Sequence, residues 1–254
     1  MNKKNKSPFF SIITVVKNDQ DNIEKSIKSV LSQTFKSYEY ILIDGNSNDQ
    51  TLQKIQKFKK KIKLILSEKD NGLYFAMNKG LKLSKGKVVV FVNSGDKLSI
   101  NALKIINQKF NRDSAIDFIF GTVRRYYTTT SILKYGYSAK RLKYNFDFAT
   151  SHSTGFFIKL KTIKKIGYFN TDYKCSADYD LYYKAIIVNK LKGGFTSKKQ
   201  LIGTVQSGGY SSRVTFFDHL FEETKIRIMN NQNILFIILI FCNALIKNFV
   251  KKII

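Results

Sequence analysis

The chain has 254 residues, 43% of them apolar, and its 44 Lys plus Arg against 18 Asp plus Glu give a net charge of +26. That length fits one α/β domain with additions or two small domains, and the apolar content excludes both a disordered chain and a wholly membrane-embedded one. The charge favours a polyanionic partner, whether nucleic acid, an anionic membrane surface or a phosphate-bearing substrate, unless the lysines merely decorate a solvated surface.

Lysines precede an apolar run at the N-terminus, as in a signal peptide, but residues 9–16 include Ser11 and Thr14 and pass into Lys17-Asn18-Asp19 without a small-residue cleavage site. The run reads as a first strand. Asp21-Asn-Ile-Glu24 has capping-box spacing and opens a helix whose Ile23, Ile27, Val30 and Leu31 share one face. Residues 38–43 form a second strand ending at Asp44, followed by the turn-rich Asp44-Gly-Asn-Ser-Asn-Asp49 and a helix from Thr51. A third strand covers 62–66. Leu73, Ala76, Met77 and Leu81 stand at helical spacing, with Gly86 as the C-cap. The unbroken apolar run 88–92 predicts a fourth strand buried on both faces, and it stops abruptly at Asn93-Ser-Gly-Asp96. Strands alternating with helices predict βαβ units in a parallel sheet, whose ligands gather at the carboxyl ends of strands.

Beyond residue 98 the alternation weakens. A helix is expected over 101–110, a strand over 116–123, and a hairpin or mobile loop over the Tyr- and Thr-rich 124–137. A strand near 156–158 and helices over 160–166 and 177–188 complete the body. The apolar stretch 234–246 is followed by Lys247, Lys251 and Lys252. As a helix it spans about 20 Å at about 1.5 Å per residue, short of the roughly 30 Å of a bilayer core. It is expected to lie in a membrane interface with its lysines reaching anionic headgroups, the alternative being a buried helix or an oligomer contact. Cys175 and Cys242 lie far apart with no metal-ligand pattern, which points to a reducing, cytoplasmic setting.

Four polar clusters fall where a parallel sheet would collect them: Asp44 with Asn46 and Ser47, Asp70-Asn-Gly72, Asn93-Ser-Gly-Asp96, and Asp178 with Asp180. Singly, each has a plain explanation as a turn former, a cap or a helix-dipole partner. Jointly, carboxylates around a pocket in a basic protein describe a site for an anionic ligand and a hard cation, Mg²⁺ or Mn²⁺. No HExxH, GxxxxGK[ST] or GxSxG pattern occurs, which argues against zinc proteolysis, P-loop phosphoryl transfer and serine-hydrolase chemistry.

In order, Ser11-Ile-Ile-Thr-Val-Val-Lys-Asn18, Leu42-Ile-Asp-Gly-Asn-Ser-Asn-Asp49, the stretch from Ser67 through Asp70-Asn-Gly72 to Gly80, Phe91-Val-Asn-Ser-Gly-Asp96, Ala177-Asp-Tyr-Asp-Leu181 and Gly208-Gly-Tyr-Ser211 resemble the motifs of family 2 glycosyltransferases. The likeness is to bacterial polysaccharide-assembly members similar to colanic acid glycosyltransferases, and it covers about residues 9–212. It implies the A-type glycosyltransferase fold: a Rossmann-like, mostly parallel α/β sheet flanked by helices, here with a C-terminal amphipathic or apolar helix. By the same resemblance Thr14 and Asp44 border the base and ribose, while Asp70, Gly72, Asn78 and Ser94 line the nucleotide-sugar cleft. Asp96 holds the divalent metal, Asp178 is the catalytic base, and His152 and Asp180 stand on the acceptor or donor side. Two departures stand out: Lys17 replaces an aromatic that would stack on the base, and Asn93 and Gly95 stand where the family often has acids. One carboxylate still suffices for Mg²⁺ when phosphates and waters complete the shell, so metal should bind weakly until the donor arrives.

The expected activity is inverting transfer of a sugar from a nucleotide diphosphate sugar to a hydroxyl of a saccharide, lipid-linked at the inner face of the cell membrane. The expected organisation is a basic tail at 1–8, a catalytic domain at 9–212 divided near residue 98, and a helical membrane-associating tail at 213–254. The lysine-rich run from Lys54 to Lys63 reads equally as a lipid-attracting patch or a solvated face. Two rivals remain: a nucleotidyltransferase on a similar nucleotide-binding half, and a nucleic-acid-binding module drawing on the charge and on Tyr126-Tyr127 and Tyr182-Tyr183. The second leaves the strand-end acids unexplained, since without a metal they would repel phosphate.

Overall fold

Seven buried residues in a row make Phe10–Val16 (β1) a strand covered on both faces. It is the centre of the computed structural model, which describes residues 7–144, 152–206, 208–209 and 213–253. Helix Ile23–Leu31 (α1) follows, then Tyr38–Asp44 (β2), Thr51–Gln56 (α2), Leu64–Ser67 (β3), Leu73–Leu83 (α3) and Val88–Phe91 (β4). β1 pairs in parallel with β2 and β4, and β2 with β3, so all four strands point their carboxyl ends the same way. Alternate residues feed two cores. Ile13, Val15, Ile41, Ile43 and Phe91 pack on one face, and Phe10, Ile12, Tyr40, Leu42 and Val90 on the other. Each such side chain contributes about 1.5–3 kcal/mol by leaving water.

Local details differ from expectation in instructive ways. No capping box forms at α1: its N-cap Asn22 makes no side-chain capping bond, and Glu24 turns to Lys28 and Lys57 at 3.3 and 3.1 Å. The third strand lies at Leu64–Ser67 rather than 62–66. Gly86 does not cap α3, which ends at Ser84; a Cβ at Gly86 would stand 2.4 Å from the Ser11 amide nitrogen, so glycine is there for close approach to β1.

The second half adds Lys97–Leu98 (β5), Ala102–Arg112 (α4), Phe118–Phe120 (β6), Thr122–Tyr126 (β7), Ser131–Lys134 (β8), Ala139–Tyr144 (α5), Phe156–Lys159 (β9), Leu160–Ile166 (α6) and Ala177–Tyr183 (α7). After α7 come Gly193–Phe195 (β10), Leu201–Gln206 (β11), Phe216–Met229 (α8) and Ile234–Ile253 (α9). β9 enters the main sheet antiparallel between β4 and β6, giving the order β10-β6-β9-β4-β1-β2-β3. The expected single strand over 116–123 is two strands in two sheets. At Gly121 the chain leaves β9 and joins β11, in the second sheet β5-β11-β7-β8; a Cβ there would lie 2.7 Å from Ile202. The Tyr- and Thr-rich segment is an antiparallel hairpin, β7–β8. α7 runs on into a π-helical turn, Lys184–Val188.

α8 is fastened to the body rather than trailing from it. It starts on a capping box between Thr215 and Asp218. The buried Arg227 donates to the carbonyl oxygens of Leu142 and Lys143, both at 2.8 Å, and its guanidinium lies over the rings of Tyr179 and Tyr183. α9 packs on α8, and no helix among the described residues is long and apolar enough to cross a membrane.

Candidate active site

The carboxyl ends of β1, β2 and β4 open onto a cleft of about 960 Å³, closed on its far side by α7, β11 and α8. β1 delivers Lys17 and Asn18, the latter in the left-handed region at φ 51°; its side-chain oxygen accepts from the Asn48 amide at 2.9 Å, tying the β1 and β2 loops together. Asp70 and Gly72 line the cleft after β3. Lys79 bridges Asp70 and Glu68, which hold its pKa above the usual lysine range, and the second Asp70 oxygen is buried without a partner among the described residues. Gly72 sits at φ +140°, which side-chain-bearing residues rarely adopt.

After β4 the chain turns through Gly95 (φ 92°), whose amide donates to Ser26 at 2.9 Å. This aims Ser94 and Asp96 into the cleft. The Asn93 carbonyl-type oxygen Oδ1 and the Ser94 hydroxyl are buried with no partner among the described residues. Asp96 accepts from Thr154 at 2.6 Å and stands 3.7 Å from His152 Nδ1. Burial pushes its pKa up, with His152 and Thr154 opposing; burial likewise lowers His152, with Asp96 opposing, so the imidazole is neutral at pH 7. A carboxylate, a neutral imidazole and unpartnered hard oxygens suit Mg²⁺ or Mn²⁺. No group of three or more His, Cys, Asp or Glu fit to hold a metal occurs among the described residues.

Across the cleft, Asp178 occupies the first turn of α7. It accepts from its neighbour Tyr179's amide at 2.9 Å and from the Tyr74 hydroxyl at 3.4 Å. Burial raises its pKa to about 6, these bonds pulling the other way. That is a carboxylate ionised at neutral pH yet basic enough to take a proton.

Four expected site residues stand apart from the cleft lining. Thr14 is fully buried, donating to the Val92 carbonyl at 2.6 Å and paired with Tyr40, so it braces β1 against its neighbours instead of touching a base. Asp44 is enclosed beneath the floor, its oxygens taken by Ser47 and Ser67; the adjacent Gly45 reaches the cleft. Asn78 clamps the Phe169 backbone with bonds of 2.8 and 3.1 Å. Asp180, two residues from Asp178, faces another side of α7 and pairs with Lys184 at 2.7 Å. In the Gly-Gly-x-Ser element, Gly208 and Gly209 line the cleft, whereas Tyr210 and Ser211 lie outside the described residues.

Sequence reasoning missed Arg125, Arg213, His219 and Glu223, all of which line the cleft. Glu222, next to them, accepts from the amides of Lys174, Cys175 and Ser176 at 2.6, 2.9 and 2.9 Å and so shapes the entry to α7. The readable signal was an acidic pair, Glu222-Glu223, in a chain with more than twice as many basic as acidic residues.

The family model described as glycosyl transferase family 2 matches residues 11–176. The chain is 27% identical over 207 residues, 72% of this chain and 81% of the relative, to the Escherichia coli UDP-Glc:alpha-D-GlcNAc-diphosphoundecaprenol beta-1,3-glucosyltransferase WfgD. Several other curated relatives are matched over only 35–47% of their own length. In fold it is similar to Staphylococcus aureus TarS in complex with UDP-GlcNAc (TM-score 0.72, 18% identity, 93% of this chain and 71% of that one). It is also similar to the mannosyltransferase PcManGT from Pyrobaculum calidifontis in complex with GDP-Man and Mn²⁺ (TM-score 0.63, 14% identity, 94% and 69%). With well over half its length inside the family's sequence pattern, the chain belongs to glycosyl transferase family 2.

Proposed function

We propose that this protein transfers a sugar, with inversion, from a nucleotide diphosphate sugar to a hydroxyl of a lipid-linked saccharide in bacterial surface polysaccharide assembly. The observation that carries the reading is that one cleft holds both the strand-end residues Asp70, Gly72, Ser94 and Asp96 and the half-buried Asp178 facing them. Asp178 takes the acceptor hydroxyl's proton as that oxygen attacks the anomeric carbon from the side opposite the leaving diphosphate. Lys17, Arg125 and Arg213 line the cleft and offer positive charge to the phosphates. Asp96 and His152 would hold Mg²⁺ or Mn²⁺, which when bound neutralises charge on the departing diphosphate. The Mn²⁺ and nucleotide sugars of the similar structures, and the diphosphoundecaprenol acceptor of the E. coli relative, support this reading.

Membrane attachment is part of the proposal. α8 and α9 leave Phe217, Phe221, Leu235, Leu239, Ile246 and Phe249 exposed, with the exposed Lys247 among them. The α9 axis is about 30 Å long at about 1.5 Å per residue. Such a face suits the interface of an anionic membrane, at the inner leaflet where nucleotide sugars are available. The test is incubation with UDP sugars and a diphosphoundecaprenol-linked GlcNAc acceptor, with and without Mn²⁺. Release of UDP with glycosylated lipid supports the reading, and pyrophosphate release from a nucleoside triphosphate would favour a nucleotidyltransferase.

A further inference from the structure

Glu223 is half-buried on α8 and lines two spaces at once: the main cleft, and a side cavity of about 160 Å³ whose other walls are Phe216, His219, Leu220 and, from α9, Ala244. Glu223, with His219, thus stands where the cleft and the side cavity share a wall. Its carboxyl group makes no hydrogen bond to any described residue, although it lies within electrostatic reach of Asp178 and Arg227. The backbone carrying it is held firmly, because the preceding Glu222 grips three amides at the start of α7 and the following Arg227 is bound to α5 and α7. A rigidly placed carboxyl group with unused hydrogen-bonding capacity, next to the base and at the mouth of the side cavity, is what an acceptor saccharide would meet first.

We propose, resting on the function above, that Glu223 binds the acceptor: it hydrogen-bonds a saccharide hydroxyl and thereby sets which neighbouring hydroxyl lies against Asp178. Burial and the charge of Asp178 push the Glu223 pKa up to about 8, Arg227 opposing, while Asp178 lies at about 6. Glu223 also acts on Tyr179 of α7, and His219 on its own helix lines both spaces with it, while among the described residues α9 contributes Ala244 to the side cavity. Between the two pKa values Asp178 is ionised and accepts a proton while Glu223 keeps its own and donates a hydrogen bond. Above the upper value Glu223 becomes a second anion beside the base and loses its donor.

The experiment measures transfer from a UDP sugar to a panel of octyl glycosides across pH 5–10, for the intact wild type, Glu223→Gln and Glu223→Ala, with UDP affinity by calorimetry. Wild type should lose kcat/KM for acceptor on both sides of neutrality. Glu223→Gln, whose amide still donates, should lose the alkaline limb and keep the acidic one. Glu223→Ala should raise the acceptor KM about tenfold, the value of one good hydrogen bond, with UDP affinity unchanged. An unaltered alkaline limb in Glu223→Gln together with an unaltered acceptor KM in Glu223→Ala overturns the assignment and leaves the transferase reading standing. Failure of the wild type to bind any of UDP, GDP, CDP, ADP and dTDP removes that reading, and this one with it.

Discussion

Tyr74, in the first turn of α3, donates its hydroxyl to Asp178, in the first turn of α7, at 3.4 Å. This bond joins α3 to the residue proposed as base, and it stabilises the ionised carboxylate against the burial that raises its pKa to about 6. Tyr74→Phe should therefore move the acidic limb of the pH–rate profile upward from about 6, leaving UDP affinity unaltered. A limb that stays in place would mean that the bond does not act on the base.

Asp178 also links activity to stability. Its folded pKa of about 6 lies above its ordinary 3.8, so the unfolded chain releases this proton first and stability falls as pH rises through that window, then levels off. The cost at neutral pH is roughly 3 kcal/mol as an order of magnitude. Asp178→Asn should abolish transfer, by at least about a hundredfold, while making the fold more resistant to urea at pH 7 than the wild type. Equal or lower resistance would contradict the burial argument.

Glu222 is expected to matter for architecture rather than chemistry. Removing its carboxylate in Glu222→Ala leaves the amides of Lys174, Cys175 and Ser176 without their acceptor, which should cost about 2–4 kcal/mol in chemical denaturation. A change below about 0.5 kcal/mol would show that water replaces it freely.

How much of this was legible in the sequence follows from where each signal is stored. The N-terminal run of parallel strands and helices was readable because both-face burial leaves unbroken apolar runs, as in β1 and β4, and because helices between parallel strands keep one apolar face. The switch of sheets at Gly121 was not, since 116–123 is uniformly strand-like and the break depends on the close approach of Ile202. α8 was hidden by its exposed phenylalanines, which read as part of a tail, although Glu222 and Arg227 anchor it. In the site, Gly72, Ser94, Asp96, His152 and Asp178 stand around one cleft. Thr14, Asn78 and Asp180 lie in the right motifs but point elsewhere, because a motif records chain position and only packing decides the direction of each side chain.

The apolar face makes a separate expectation. Truncation after Asn233, or Phe221→Ser with Leu239→Ser, should weaken sedimentation with vesicles containing anionic lipid, each buried aromatic or aliphatic side chain being worth about 1.5–3 kcal/mol. Raised salt should weaken the wild type as well, since the surrounding lysines act through screened charge. Unchanged sedimentation in the truncated protein would reject this anchor.

Metal and donor should bind together. Asp96→Ala should lose most of the Mn²⁺-dependent increase in UDP affinity while the fold is retained, and Mn²⁺ alone should bind the wild type weakly, because Asp96 and His152, which stand 3.7 Å apart, would supply only part of a coordination shell. Tight Mn²⁺ binding without nucleotide would contradict this order.

The most direct test of the central claim is the anomeric configuration of the product, read by NMR on material made by the wild type beside Asp178→Asn. The account predicts a new glycosidic bond of inverted configuration from the wild type, one UDP released per bond, and no product from Asp178→Asn. Retained configuration, or undiminished product from Asp178→Asn, would contradict it.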